Sequence, residues 1–294
     1  MASASTHRGI VVGVDGSSSA KAAVAWAARD AALRKVPLTL VHVLMPTVSM
    51  TWPEVPLPPG FQHWQESEGR GVILDATAIA HDAAGSSAIE VDSEIVAGVP
   101  VASLADLSKD AQMVVVGRHG RGRLQHLLGS VSSALIRHAH CPVAVIHDEE
   151  PLMPDAAFAP VVVGIDGSPV SESATAMAFD EASRRGVGLV AVHASIDWGG
   201  WGYPEIDWPA VEPAGRKVLA ERLSGWRDRY PDVAVHPVVV ANQAASRLVE
   251  ESERAQLVVV GSHGRGGFAG MLLGSVSSAV VQSARTPVIV VRDS

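Results

Sequence analysis

Two glycine-spaced segments hold the residues best able to do chemistry in this 294-residue chain, and each occurs twice. The first is Gly117-Arg118-His119-Gly120, followed after eight residues by Gly129-Ser130-Val131-Ser132. Its echo is Gly261-Ser262-His263-Gly264, followed after nine residues by Gly274-Ser275-Val276-Ser277. Glycine lets the backbone turn through φ > 0 and lets a ligand come close to N–H groups. A Gly-Ser that opens a helix leaves first-turn amides unpaired, which makes a seat for an anion. The serine hydroxyls add donors, and Arg118, Arg121, Arg123 and Arg265 are placed to neutralise negative charge. An ordinary serine-capped turn explains Gly-Ser but not three spaced glycines kept in both copies. The pattern favours phosphate binding.

The second segment is Gly13-Val14-Asp15-Gly16-Ser17, repeated as Gly164-Ile165-Asp166-Gly167-Ser168. An Asp at the end of a first strand can accept hydrogen bonds from a sugar or an amine. It can equally form an Asx-turn into the next helix, and both readings stand. Neither segment is a Walker A loop or a dinucleotide fingerprint. No Gly-Lys-Ser/Thr is present, and the glycine loop follows the fourth strand rather than the first. No acidic cluster suits a firmly held Mg²⁺, and no Ser-His-Asp set stands out. His138-Ala139-His140-Cys141 has the look of a metal cluster, but its counterpart Ser283-Ala284-Arg285-Thr286 has no ligand, so a polar helix end is the better reading. His42 and His193 recur at the end of the second strand, where a histidine satisfies a turn or lines a cleft.

The elements that must position these residues are short and regular. Ile10–Val14, Leu38–Val43, Glu90–Val96, Met113–Val116 and Val143–Ile146 are β-branched apolar runs, as expected of parallel strands covered on both faces. Helical stretches lie between them: Ser18–Lys35 with a serine-rich start, Gln62–Ala84, Val99–Lys109 with Pro100 in its first turn, and Ser130–His138. The second half repeats the order, with strands near Val161–Ile165, Leu189–His193, Ala234–Val240, Leu257–Val260 and Val288–Val291. Such alternation predicts a doubly wound α/β domain, twice over. The Pro/Gly-rich connections Leu44–Gly60 and Ala194–Pro209 read either as lids or as surface loops anchored by tryptophan.

Arg8–Met45 is echoed by Ala159–Ile196, which makes the chain a tandem duplication with domains at 1–150 and 157–294. A net charge of −8 lacks the basic footprint of a nucleic-acid binder. A single cysteine forbids an intrachain disulfide and fits a reducing compartment. The first nine residues hold no apolar run, so no secretory leader is expected. Mean hydropathy is +0.21, yet no apolar run approaches the roughly 20 residues of a spanning helix. A cytoplasmic protein with no membrane and no nucleic-acid partner is the expectation.

These segments resemble the universal stress protein family in its tandem-domain form. The resemblance covers nearly the whole chain. Its specific part is Gly261-x₂-Gly264-x₉-Gly274-Ser275, which is similar to the family's ATP-binding signature, supported by the Val-Gly-x-Asp-Gly-Ser starts and the Leu-Leu-Gly-Ser-Val-Ser-Ser segments. It implies an adenine-nucleotide alpha hydrolase-like fold with strand order 3-2-1-4-5 and ATP, with or without Mg²⁺, between strands 1 and 4. On that resemblance Asp15 and Asp166 face the ribose. Val14 and Ile165 flank the adenine, with Val43 and Ala194 at the end of strand 2. Gly117, His119, Gly120, Gly129, Ser130, Val131 and Ser132 hold phosphates and ribose in the first half. Gly261, His263, Gly264, Gly274, Ser275, Val276 and Ser277 do so in the second. The shorter first-half loop departs from the signature and could shift by up to about 3.5 Å, which makes it the weaker site. The family also pairs domains through the fifth strand, here Pro142–His147 and Pro287–Arg292, and a homodimer is implied. The implied function is a stress-response regulator that senses ATP and acts on an unknown downstream protein. The rivals are a slow ATPase or nucleotide-using enzyme, and a scaffold with degenerate pockets.

Overall fold

The computed structural model describes residues 8–46, 58–120, 128–147, 158–195, 208–264 and 273–292. The chain divides into two compact units, 1–148 and 149–294. The first contains β1 (Ile10–Gly13), α1 (Ser18–Arg34), β2 (Leu38–Leu44), α2 (Phe61–Ala84) and β3 (Val91–Ala97). It continues with α3 (Pro100–Leu107), β4 (Met113–Gly117), α4 (Ser130–His138) and β5 (Val143–Ile146). The second contains β6 (Val161–Gly164), α5 (Pro169–Arg185), β7 (Leu189–Ala194), α6 (Trp208–Arg229) and β8 (Val235–Val240). It ends with α7 (Ala244–Ser252), β9 (Leu257–Gly261), α8 (Ser275–Ser283) and β10 (Val288–Val291).

All pairings within a unit are parallel. The first sheet runs β3-β2-β1-β4-β5 and the second β8-β7-β6-β9-β10, the same 3-2-1-4-5 order. Ile10 is in register with Leu38 on one side and Met113 on the other, and all three are buried. Central strands are apolar throughout because helices cover both faces of a parallel sheet. Two strands, β3 and β8, differ from that expectation. β3 alternates between half-buried and exposed positions, and β8 is half-buried with Pro237 inside it. An edge strand has a neighbour on one side only, which relaxes the demand for a buried residue at every position and tolerates proline.

Helix ends follow local chemistry. The hydroxyl of Ser17 accepts from the N–H of Ala20 and caps α1, and Ser168 caps α5 through Ser171. Pro100 opens α3, where no N–H partner is required. Val14 lies just past β1, its N–H donating to the carbonyl of Val41. Positions 47–57 and 196–207, within the two long Pro/Gly-rich connections, lie outside the described residues.

One ion pair recurs at matching places. Arg34 donates to Asp30 on α1, and Arg185 to Glu181 on α5. Both carboxylates are buried, at 1% and 0% side-chain exposure. A buried charge stripped of its partner is strongly destabilising. Arg34→Met and Arg185→Met, which each remove one partner of a buried ion pair, are each expected to cost about 3–5 kcal/mol, read as an earlier denaturant midpoint. The double change of Asp30 and Arg34 to apolar residues should recover most of the loss.

Candidate functional site

The strand order reverses between β1 and β4, and the crevice at the carboxyl ends of such strands is where open α/β sheets take ligands. In the first unit a cavity of about 590 Å³ opens there. The first strand contributes Val14 and Asp15, and the second contributes Val43. The glycine loop contributes Gly117, His119 and Gly120. The opening of α4 contributes Gly129, Ser130, Val131 and Ser132. The structure thus gathers on one surface every first-half residue that the family resemblance places at the ligand.

Asp15 makes the Asx-turn. Its Oδ1 accepts from the backbone N–H of Ser17 at 2.9 Å and from the Ser17 hydroxyl at 2.6 Å. Asp166 Oδ1 accepts from the N–H of Ser168 at 2.8 Å. The turn needs a left-handed residue next, supplied by Gly16 at φ 83 and Gly167 at φ 84. The second oxygen, Oδ2, points to the glycine loop. It stands 2.6 Å from where a Cβ on Gly120 would be, and closer still to that of Gly264 in the second unit.

The loop is closed by its own backbone in both units. Arg118 N–H donates to the carbonyl of Ile146, and Gly129 N–H returns to the carbonyl of Arg118 at 2.8 Å. The second unit repeats this with Ser262 to Val291 and Gly274 to Ser262, both 2.7 Å. The one-residue difference between the halves therefore falls within 121–127 and 265–272, which lie outside the described residues together with Arg121, Arg123 and Arg265. The geometry on either side of it is the same.

The serines of the helix openings divide their work. Ser132 and Ser277 are buried, and their hydroxyls donate to the carbonyls of Gly117 and Gly261. They hold the loop to the helix start rather than offer a proton outward. Ser130 and Ser275 are exposed. Gly129 and Gly274 occupy the N-cap positions with no side-chain cap, so the first amides of α4 and α8 face the loop without one.

Other cavity residues lie outside the two glycine-spaced segments. His42 Nδ1–H donates to the carbonyl of Val14 at 2.7 Å, and His193 does the same to Ile165 at 2.8 Å. A carbonyl only accepts, so the proton sits on Nδ1. Both readings of His42, turn partner and cleft wall, hold together. Val41, Met45, Pro100 and Leu104 supply an apolar end to the cavity. Leu104 is the buried residue of α3, and it reaches the cavity because Gly13 has no side chain, with Leu104 Cδ1 only 2.8 Å from the Cβ position there. Leu248 stands in the same relation to Gly164 at 3.1 Å. A glycine one residue short of an apolar pocket wall, paired with a leucine on the third helix, was the available signal.

Among the described residues no three His, Cys, Asp or Glu side chains are grouped to hold a metal. Cys141 is buried, and desolvation pushes its thiol up to about 12.

These features define a tandem α/β protein of the doubly wound class, with a ligand-sized cavity in its first unit and the same loop geometry in its second. The profile of the Universal stress protein family matches residues 6–147 and 157–292. Universal stress protein Rv2623 of Mycobacterium tuberculosis is 57% identical over 296 residues, covering 100% of this chain and 99% of the relative. Universal stress protein Rv2005c of the same organism is 55% identical over 290 residues, covering 98% of each. A crystal structure of a universal stress protein from Archaeoglobus fulgidus superposes with a TM-score of 0.71 at 19% identity, covering 98% of this chain and 97% of that one. The chain belongs to the universal stress protein family. No described helix is long and apolar enough to cross a membrane.

A thiol with a pKa near 12 is ionised to about one part in ten thousand at pH 8. Cys141 in the folded protein is therefore expected to resist iodoacetamide at pH 8 and to react fully in denaturant, as read by intact mass. Rapid labelling of the folded chain would contradict the burial.

Proposed function

We propose that each half binds ATP at the crevice between its first and fourth strands, and that occupancy is the signal this stress protein reports. One observation carries the reading. The cavity has an apolar end, formed by Val41, Val43, Met45, Pro100 and Leu104, and an amide end, where the glycine loop meets the uncapped start of α4. A planar base suits the first, and a polyphosphate suits unpaired helix amides. Asp15, with one oxygen tied in its turn and the other at the loop, lies among the lining residues and suits a sugar hydroxyl. The second half has the same turn, loop closure and uncapped helix, formed by Asp166, Gly264 and Gly274. Ile165 and Ala194 stand at the strand ends there, matching Val14 and Val43.

A single carboxylate already engaged in a turn is a poor sole ligand for Mg²⁺. Any Mg²⁺ would ride on phosphate oxygens and water, with the protein contributing little. The nucleotide's influence would act through a downstream protein or a second copy of the chain, and it requires that two states of the protein bind ATP differently.

Calorimetric titration of the full chain with ATP tests the reading. Two sites per chain are expected. Gly120→Ala and Gly264→Ala place a methyl against Asp15 and Asp166. Each should weaken its own site at least about tenfold, or 1.4 kcal/mol, and by comparable factors, because the loops close alike. Absence of binding at millimolar ATP would leave a scaffold with degenerate pockets. Turnover of Mg-ATP lost with either glycine variant would establish an enzyme instead.

A further inference from the structure

We propose that Ser19 is a positioning residue for the anion loop of the first half, a task the second half gives to a different side chain; this rests on the nucleotide reading above. Ser19 sits in the first turn of α1 and is fully buried. Its hydroxyl donates to the backbone carbonyl of His119. The contact is tight on both sides. A Cβ on Gly117 would overlap the Ser19 hydroxyl and lie 2.6 Å from its carbonyl carbon.

The peptide unit explains why this bond matters. The carbonyl of His119 and the N–H of Gly120 belong to one planar, trans peptide and point in opposite directions. Anchoring that carbonyl to α1 turns the Gly120 N–H away from α1. His119 and Gly120 both line the cavity. Ser19 thereby sets the direction of a loop amide while touching no ligand itself.

The second half has lost this fastening. Val170 occupies the matching position and has no hydroxyl; its Cγ1 stands 3.0 Å from the Cβ position on Gly261. There the loop is held from within, by the Ser262 hydroxyl 3.0 Å from Nδ1 of His263. Arg118 stands at the place of Ser262 in the first half. Beyond the main-chain closure that both share, the shorter loop is fastened to α1, and the longer loop has a side-chain bond of its own between Ser262 and His263. The two sites therefore answer to different residues.

The test uses the full chain with Ser19→Ala, and Ser19→Thr as the variant that keeps the hydroxyl. Calorimetry with ATP should show one of two sites weakened about five- to tenfold by Ser19→Ala, the size of one lost buried hydrogen bond. The other site should be unchanged, and Ser19→Thr should restore the first. Hydrogen exchange without nucleotide should quicken at Gly117–Gly120 and leave α1 protected. Unchanged affinity at both sites, equal loss at both, or loosening spread through α1 would overturn the proposal. Should the wild-type chain bind no nucleotide, the reading above falls, while the exchange of Ser19→Ala still decides whether Ser19 fastens the loop.

Discussion

At the end of the fourth strand, backbone must touch its neighbours with no side chain between them. Gly117 lies against Ser19, Gly120 against Asp15, and Gly129 against His119, whose Cα is 3.2 Å from the Cβ position. No residue larger than glycine fits these contacts without displacing a neighbour. With no side chains to pack, hydrogen bonds fix the loop's direction: Arg118 to Ile146, Gly129 to Arg118, and the Ser132 hydroxyl to Gly117. Folding the loop back on its own carbonyls leaves the helix opening without a side-chain cap. The cavity's amide end exists because the closure is made of main chain.

The duplication shows how little of the surrounding packing this constraint needs. In the first half α1 meets α2 through small residues, with Ala28 and Ala80 fully buried. At the matching places the second half has Phe179 and Trp226, stacked 5.9 Å apart, with Tyr230 5.6 Å from Phe179. Trp226 also donates to Glu172 at 2.8 Å. Side-chain volumes on these helices differ greatly, yet the Asx-turn, the loop closure and the histidine bond at the second strand are the same in both. Helix packing is free to drift because many apolar combinations fill a core. Main-chain contacts have no such latitude.

That difference explains what could be read from sequence. The alternation of strands and helices, the serine-led helix starts, and the meeting of Asp15 with the glycine loop were legible, because each depends on residue types with narrow physical roles, whereas strand order and the places of Val14 and Val43 followed only from the family resemblance. The edges were misjudged. Counting β3 among fully covered strands ignored that a terminal strand has one neighbour, and its Asp92, Ser93 and Ala97 are exposed. Leu104 was not read as a cavity wall because an apolar residue on a helix is core by default, and only the glycine opposite, Gly13, marks it as one. Ser132 and Ser277 were expected to offer protons to a ligand, but a buried hydroxyl beside an unpaired carbonyl satisfies that carbonyl first.

The two readings of Asp15, turn former and ligand partner, compete only if the carboxylate has one oxygen. It has two, and the structure separates them. Oδ1 takes both protons offered by Ser17, which orients the side chain and sets the entry to α1. Oδ2 is thereby aimed across the cavity edge at Gly120. A carboxylate whose rotamer is fixed by its own turn presents its second oxygen without loss of side-chain freedom on binding. Asparagine would keep the turn through its carbonyl oxygen, but it would place an amide group at Gly120 and reverse the hydrogen-bonding sense there. The acid in both copies is thus explained by the position it faces as much as by the turn it makes.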